Sequence, residues 1–204
     1  MFALVESGTI TQFPKGNKGI TIGDNQYPQS IYTVWTEAER NAIGIYTVTI
    51  DNTNKKNEEI WINTDITYTF TGSAVTGSYG TATAKRLNDE NAVDEDGNNV
   101  LDADGNQVIN YGLKTQYKNK FNAEAAALLS RTDWYVIKAA DVTDYNVPSN
   151  ITTYRAAVRT KVNAMETSID NCSDVDALIT LLTYTTDSEG VTSRPLGEFP
   201  DEVV

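Results

Sequence analysis

Carboxylates are the chemically capable groups this chain offers in quantity. Seven of its 28 acids fall within residues 87–110: Asp89, Glu90, Asp94, Glu95, Asp96, Asp102 and Asp104. Five of them belong to a unit that repeats after eight residues, Asp94-Glu95-Asp96-Gly97-Asn98-Asn99-Val100 and Asp102-Ala103-Asp104-Gly105-Asn106-Gln107-Val108. Asp-x-Asp-Gly-Asn resembles the opening of several calcium loops. In an EF-hand register with Gly97 sixth, however, Ala92 falls first and Ala103 twelfth, where carboxylates are required. Asp-Gly is also a strong hairpin-turn signal, so the repeat is better explained as two hairpin turns with solvated acids. The remaining close acid pairs sit at helix N-termini, where the helix dipole accounts for them.

Other reactive constellations are missing from the composition. With no histidine, Ser-His-Asp triads, Cys-His dyads and His-ligated metals are impossible. Cys172 stands alone and can form neither an intrachain disulfide nor a CxxC motif. Gly72, Gly77 and Gly80 lie in a Ser/Thr-rich run without the Lys-Ser/Thr ending or the G-x-G-x-x-G spacing of phosphate loops. That run is expected to be a chain of turns. The expectation is a protein without enzymatic activity, cofactor or bound metal.

Sixteen basic against 28 acidic residues give a formal net charge of −12 over 204 residues, which argues against nucleic acid as a partner, because phosphate binding needs clustered Lys and Arg. No segment approaches the roughly 20 apolar residues of a membrane span. Met1 to Val5 runs into Glu6 with no charged leader and no long apolar stretch, so synthesis in a cytoplasm is expected. Thr and Asn number 27 and 19 and favour strands and turns over a large apolar core.

Three patterns divide the chain. Over residues 1–86 the signals are short strands: Phe2-Ala3-Leu4-Val5 and Thr9-Ile10-Thr11-Gln12-Phe13 about a Ser7-Gly8 turn, Ile20-Thr21-Ile22, Ile45 to Ile50, Ile60 to Ile62 and Ile66 to Phe70. Thr36-Glu37-Ala38-Glu39 has the form of a capping box and Gly44 that of a helix stop. Residues 87–111 form an acidic connector. From Gly112 the period is helical: Leu113, Tyr117, Phe121, Ala125 and Leu128 share one face, and so do Ile151, Tyr154, Val158, Val162, Met165 and Ile169. A third helix from Asp174 to about Tyr184 places Val175, Leu178, Ile179 and Leu182 inward. Residues 185–204, with Gly190, Pro195, Gly197 and Pro200, should lack regular structure. The fold class is α+β: a β-rich domain (1–86), the connector (87–111), a helical module of two to three helices (112–184) and an irregular tail (185–204).

Charge and aromatics mark the helical part. Residues 112–161 hold eight basic and four acidic residues, and residues 162–204 one basic and nine acidic. The +4 segment either steers docking to an acidic neighbour or pairs with the chain's own tail. Trp134-Tyr135-Val136-Ile137 either anchors a partner or forms a linker plugging the space between two helices.

The run Gly112 to Ile169 resembles the C-terminal module of tail assembly chaperones and tail-fibre assembly-type proteins of bacteriophages, especially marine phages. The matching residues are Leu128-Leu129-Ser130-Arg131-Thr132-Asp133-Trp134, a loop ending at Val147-Pro148, and a helix carrying Tyr154-Arg155 and Arg159. The hairpin from Phe2 to Phe13 is similar to the opening of such proteins. The resemblance implies that the Leu-Leu-x-x-Thr-Asp-Trp block ends one helix and that the Tyr-Arg helix packs back over it. It implies a structural or adaptor protein of the virion tail, assembled in the host cytoplasm. Its partners would be tail, fibre or baseplate proteins or further copies of itself, and its partner-binding residues Trp134, Tyr135, Ile137, Tyr154, Arg155 and Arg159. Two other roles fit: a transient assembly chaperone absent from the virion, and a host receptor- or glycan-binding module that stacks Tyr79 or Trp61 on sugar.

Overall fold

The structure is a computed structural model and describes residues 1–203. The protein is α+β, with strands concentrated at the N-terminal end and long helices at the C-terminal end. It divides into two compact units, one of residues 1–84 and one from Lys85 onward.

In the first unit, β1 (Phe2–Glu6) and β2 (Thr9–Gln12) form the expected hairpin, turning at Ser7 and Gly8, which both have positive φ. Next come a small hairpin of β3 (Ile20–Ile22) and β4 (Asn25–Tyr27), a 3-10 helix (Gln29–Tyr32) and α1 (Glu37–Ala42). The capping box at α1 is complete: Thr36 N–H donates to Glu39 at 2.7 Å, and Glu39 N–H donates to Thr36 Oγ1 at 3.3 Å. The unit continues with β5 (Ile45–Asp51), β6 (Trp61–Ile62), β7 (Ile66–Phe70), β8 (Val75–Tyr79) and β9 (Thr83–Ala84). Five strands make one sheet in the order β2-β1-β5-β8-β7, antiparallel except for the parallel β5–β8 pair.

Alternation along β1 sends its side chains to two cores. Ala3 and Val5 join Val48 and Val75 on one face, while Leu4 joins Ile31, Tyr32 and Ile45 on the other. The Ser/Thr/Gly run expected to be turns is instead the inner strand β8. Its centre is Gly77 because Tyr68 and Ile66 of β7 fill the space a side chain would need. A Cβ there would sit 2.7 Å from the Tyr68 ring and 2.8 Å from the Ile66 methyl.

The acidic segment of the second unit folds into the two expected Asp-Gly hairpins, and more. The flanking strands β10 (Glu90–Asn91) and β11 (Ile109–Asn110) pair antiparallel, and bridges Val93–Asn99 and Leu101–Gln107 form two further arms. Where the three arms meet, backbone hydrogen bonds close a ring: Ala92 N–H to Val108 O (2.8 Å), Val108 N–H to Val100 O (2.9 Å), and Val100 N–H to Ala92 O (2.9 Å). The eight-residue period therefore generates a three-way junction. Asp94 Oδ1 accepts from the Asp96 and Asn98 N–H groups, and Asp102 Oδ1 accepts identically from Asp104 and Asn106. Gly97 and Gly105 take the positive φ that closes such a three-residue loop.

Helices α2 (Leu113–Ser130), α3 (Asp133–Asp141), α4 (Ser149–Asp170) and α5 (Val175–Leu182) follow. α2 and α4 are antiparallel, as the contacts Lys118–Asp170, Asn122–Glu166 and Leu129–Arg155 require. All six residues of the expected α4 face are buried, as are Leu113, Tyr117, Phe121 and Ala125 of α2. The tail departs from expectation. Thr185–Thr186 (β12) pairs with Thr192–Ser193 (β13) about Asp187, whose Oδ1 accepts from the Glu189 and Val191 N–H groups as in the other two hairpins. The shared pattern Asp-x-acid-Gly was present a third time in the sequence. Beyond it Leu196 is buried, and its carbonyl accepts from Lys161 Nζ at 2.7 Å.

Gly77→Val should lower stability by about 1–3 kcal/mol, read as an earlier urea-denaturation midpoint; an unchanged midpoint would contradict the packing described. The hydrogen bonds from Asn98 hold the Asp94 carboxyl below the usual aspartate range, and those from Asn106 do the same for Asp102. Their contribution to the junction is therefore present above the unfolded pKa of about 3.9 and is lost as pH falls through the lower folded value. Carboxyl carbon shifts of both residues should titrate with midpoints below about 3.9; ordinary midpoints would contradict it.

Candidate docking site

Helix α2 ends and α3 begins within two residues, and one side chain of α4 serves both ends. The last carbonyls of a helix have no partner inside it. Here Leu129 O accepts from Thr132 N–H (3.0 Å), Thr132 Oγ1 (2.9 Å) and Arg155 Nη1 (2.7 Å). The same Nη1 reaches Thr132 Oγ1 at 2.7 Å, and Nη2 pairs with Asp133 at 2.8 Å. A cation at the end of α2 and a carboxylate in the first turn of α3 both suit the helix dipoles. Thr132 is 4% exposed and the Arg155 side chain 11%, so these are largely desolvated bonds to a planar five-donor fork.

The Trp134–Ile137 segment is therefore helical, and the linker reading is corrected. Thr132, Asp133 and a lysine in the last turn together are a helix-start and helix-end signature. None of the nine residues of α3 is buried: Trp134 is 51% exposed and Ile137 61%, with Val136 also exposed and Tyr135 half-buried. Reading the segment as a plug fails because the α2–α4 interface is already filled by their own apolar faces. Trp134 and Tyr135 contact each other with ring centroids 3.8 Å apart. Lys138, one of the eight basic residues of the +4 segment, places its ammonium 5.8 Å from the Trp134 ring and 4.4 Å from that of Tyr145.

Of the six residues the sequence nominated, Trp134, Tyr135 and Ile137 thus lie together on α3. Tyr154 is 3% exposed in the helical core and presents no surface, and burial raises its phenol pKa. Arg155 faces inward and positions α3. Arg159 is exposed one turn along α4, within 3.4 Å of the Arg155 carbonyl. Periodicity places Tyr154 on the buried stripe, and only the resemblance of the Tyr-Arg block implies a place for it at the site.

The basic block around this site is met by the chain's own acids. Lys118 pairs with Asp170, Arg131 with Glu202, and Arg155 with Asp133. Arg194 lies over the rings of Phe121 and Tyr184 and pairs with Glu198. Lys118 and Arg131 of the basic segment thus meet acids of residues 162–204, the second of them in the tail. In the first unit, Lys56 lies over the Trp61 ring at 3.8 Å and Lys55 lies 5.7 Å from that of Tyr79. Cys172 is buried, and burial raises its thiol pKa. Among the described residues no group of three or more acids or cysteines is placed to hold a metal, and no helix is long and apolar enough to cross a membrane.

Arg155→Met should cost about 1.5–3 kcal/mol by removing the charge-assisted hydrogen bonds to the Leu129 carbonyl and the Thr132 hydroxyl, which keep their bond to each other. Asp133→Asn, at a half-exposed partner, should cost under about 1 kcal/mol. Equal losses in chemical denaturation would mean that the ion pair, and not the buried bonds, holds the corner. Comparison with protein-family models, curated proteins and solved structures finds no match for this chain.

Proposed function

We propose that the chain is a non-enzymatic docking protein of the bacteriophage tail, an adaptor whose α3 face engages a fibre or baseplate component. The observation that carries this reading is the exposed apolar face of α3. A helix of Asp-Trp-Tyr-Val-Ile-Lys-Ala-Ala-Asp with no buried residue is held in place by a neighbouring helix instead of by its own burial. Clustered exposed apolar side chains that include a tryptophan have the composition of an interaction hot spot. The phage assignment rests on the resemblance of the Leu-Leu-x-x-Thr-Asp-Trp and Tyr-Arg blocks. Its support is that Leu129, Thr132, Asp133 and Arg155, all within those blocks, converge on one hydrogen-bonded corner.

Mass spectrometry of purified virions tests the assignment: stoichiometric presence is expected, whereas abundance confined to infected-cell lysate would make the protein a transient assembly chaperone. Trp134→Ala tests the surface. The isolated variant should keep its stability within about 1 kcal/mol and fail to enter particles. A loss of about 3–5 kcal/mol, the cost of a core tryptophan, would contradict the docking role.

A further inference from the structure

The segment joining β2 to β3, Phe13-Pro14-Lys15-Gly16-Asn17-Lys18-Gly19, lines a cavity of about 410 Å³ together with Gln12, Ile20 and Tyr32. Two of the ten lining residues are lysines and none is acidic. In a chain of net charge −12 that is a local reversal of sign. Neither Lys15 nor Lys18 forms an ion pair among the described residues. Most other cations here have a carboxylate, a carbonyl or an aromatic ring to meet.

The loop is fixed at both ends, so the lysines are carried on a formed scaffold. Gly16 has a φ of +73° with the Phe2 and Tyr32 rings against it, and its carbonyl accepts from Gln29 Nε2 at 3.5 Å. Gly19 is pressed against β4, where a Cβ would meet Tyr27 O at 2.5 Å. Among the described residues, the backbone N–H groups of Lys15, Gly16, Asn17 and Lys18 donate no hydrogen bond to the protein. Successive free N–H groups around a left-handed residue make an anion-binding concavity. Tyr32, itself 7% exposed, forms part of the cavity wall.

We propose that this cavity is a binding site for a small oxyanion, a carboxylate or phosphate group, held by Lys15 and Lys18 with the amides of Gln12 and Asn17 and the free loop N–H groups as further donors. Charge-assisted hydrogen bonds supply most of the affinity, and the amides admit the hydroxyls of a sugar acid as readily as the remaining oxygens of phosphate. The site lies wholly in the first unit, and its existence does not depend on the docking role of α3.

Amide chemical-shift titration of the full chain with sodium phosphate, sodium glucuronate and neutral glucose tests the site. Saturable shifts confined to residues 12–20 and 32 are expected with phosphate or glucuronate and not with glucose; the tighter of the two names the ligand class. The Lys15→Ala/Lys18→Ala double variant should keep its dispersed spectrum and bind at least about 10-fold more weakly. No saturable shift with either anion up to about 10 mM, shifts with glucose alone, or unchanged binding by the double variant would overturn the proposal.

Discussion

Where α2 stops and α3 starts, the chain must satisfy helix-end carbonyls and orient a new helix within two residues. The guanidinium of Arg155 meets that constraint. Its Nη1 reaches both the Leu129 carbonyl and the Thr132 hydroxyl, and its Nη2 takes the Asp133 carboxylate. A lysine could not reproduce this, because an ammonium lacks the planar fork that addresses a carbonyl, a hydroxyl and a carboxylate at once. The direction of α3 is consequently set by polar geometry at its first turn, and its apolar side chains are left facing solvent.

Most of the second unit supports that arrangement. The antiparallel α2–α4 pair buries its stripes on itself and places Arg155 level with the end of α2. The C-terminal segment crosses the same helices, with Leu196 buried and Arg194 and Glu202 tied to aromatic and charged partners. Acids of residues 162–204 thereby offset basic residues of 112–161. The three-way junction carries a further block of acids, of which Asp94 and Asp102 are held at the turns by their own backbone.

Legibility followed periodicity. The capping box at Thr36, the hairpin at Ser7-Gly8 and the α4 stripe from Ile151 to Ile169 each express a local rule and were readable. β8 was not, because Gly77 owes its identity to Tyr68 across the sheet, a contact that no local pattern encodes. The tail hairpin was readable in principle from Asp187 to Val191, but Pro195 and Pro200 nearby outweighed it. At the site, Trp134, Tyr135 and Ile137 were found as an aromatic cluster, whereas Arg155 was nominated as a contact when its work is to position them. Only the fold distinguishes those roles, since both put an arginine near a tryptophan.

Arg155 holds the start of α3 while Trp134 and Ile137 stay exposed, and the partner proposed above would cover them. Hydroxyl-radical footprinting of Trp134 and Ile137, in the isolated protein and in purified particles, tests this most directly. Strong labelling of both residues is expected in the isolated protein, and protection in the particle. Protection of Trp134 in the isolated protein, or equal labelling in both states, would contradict it.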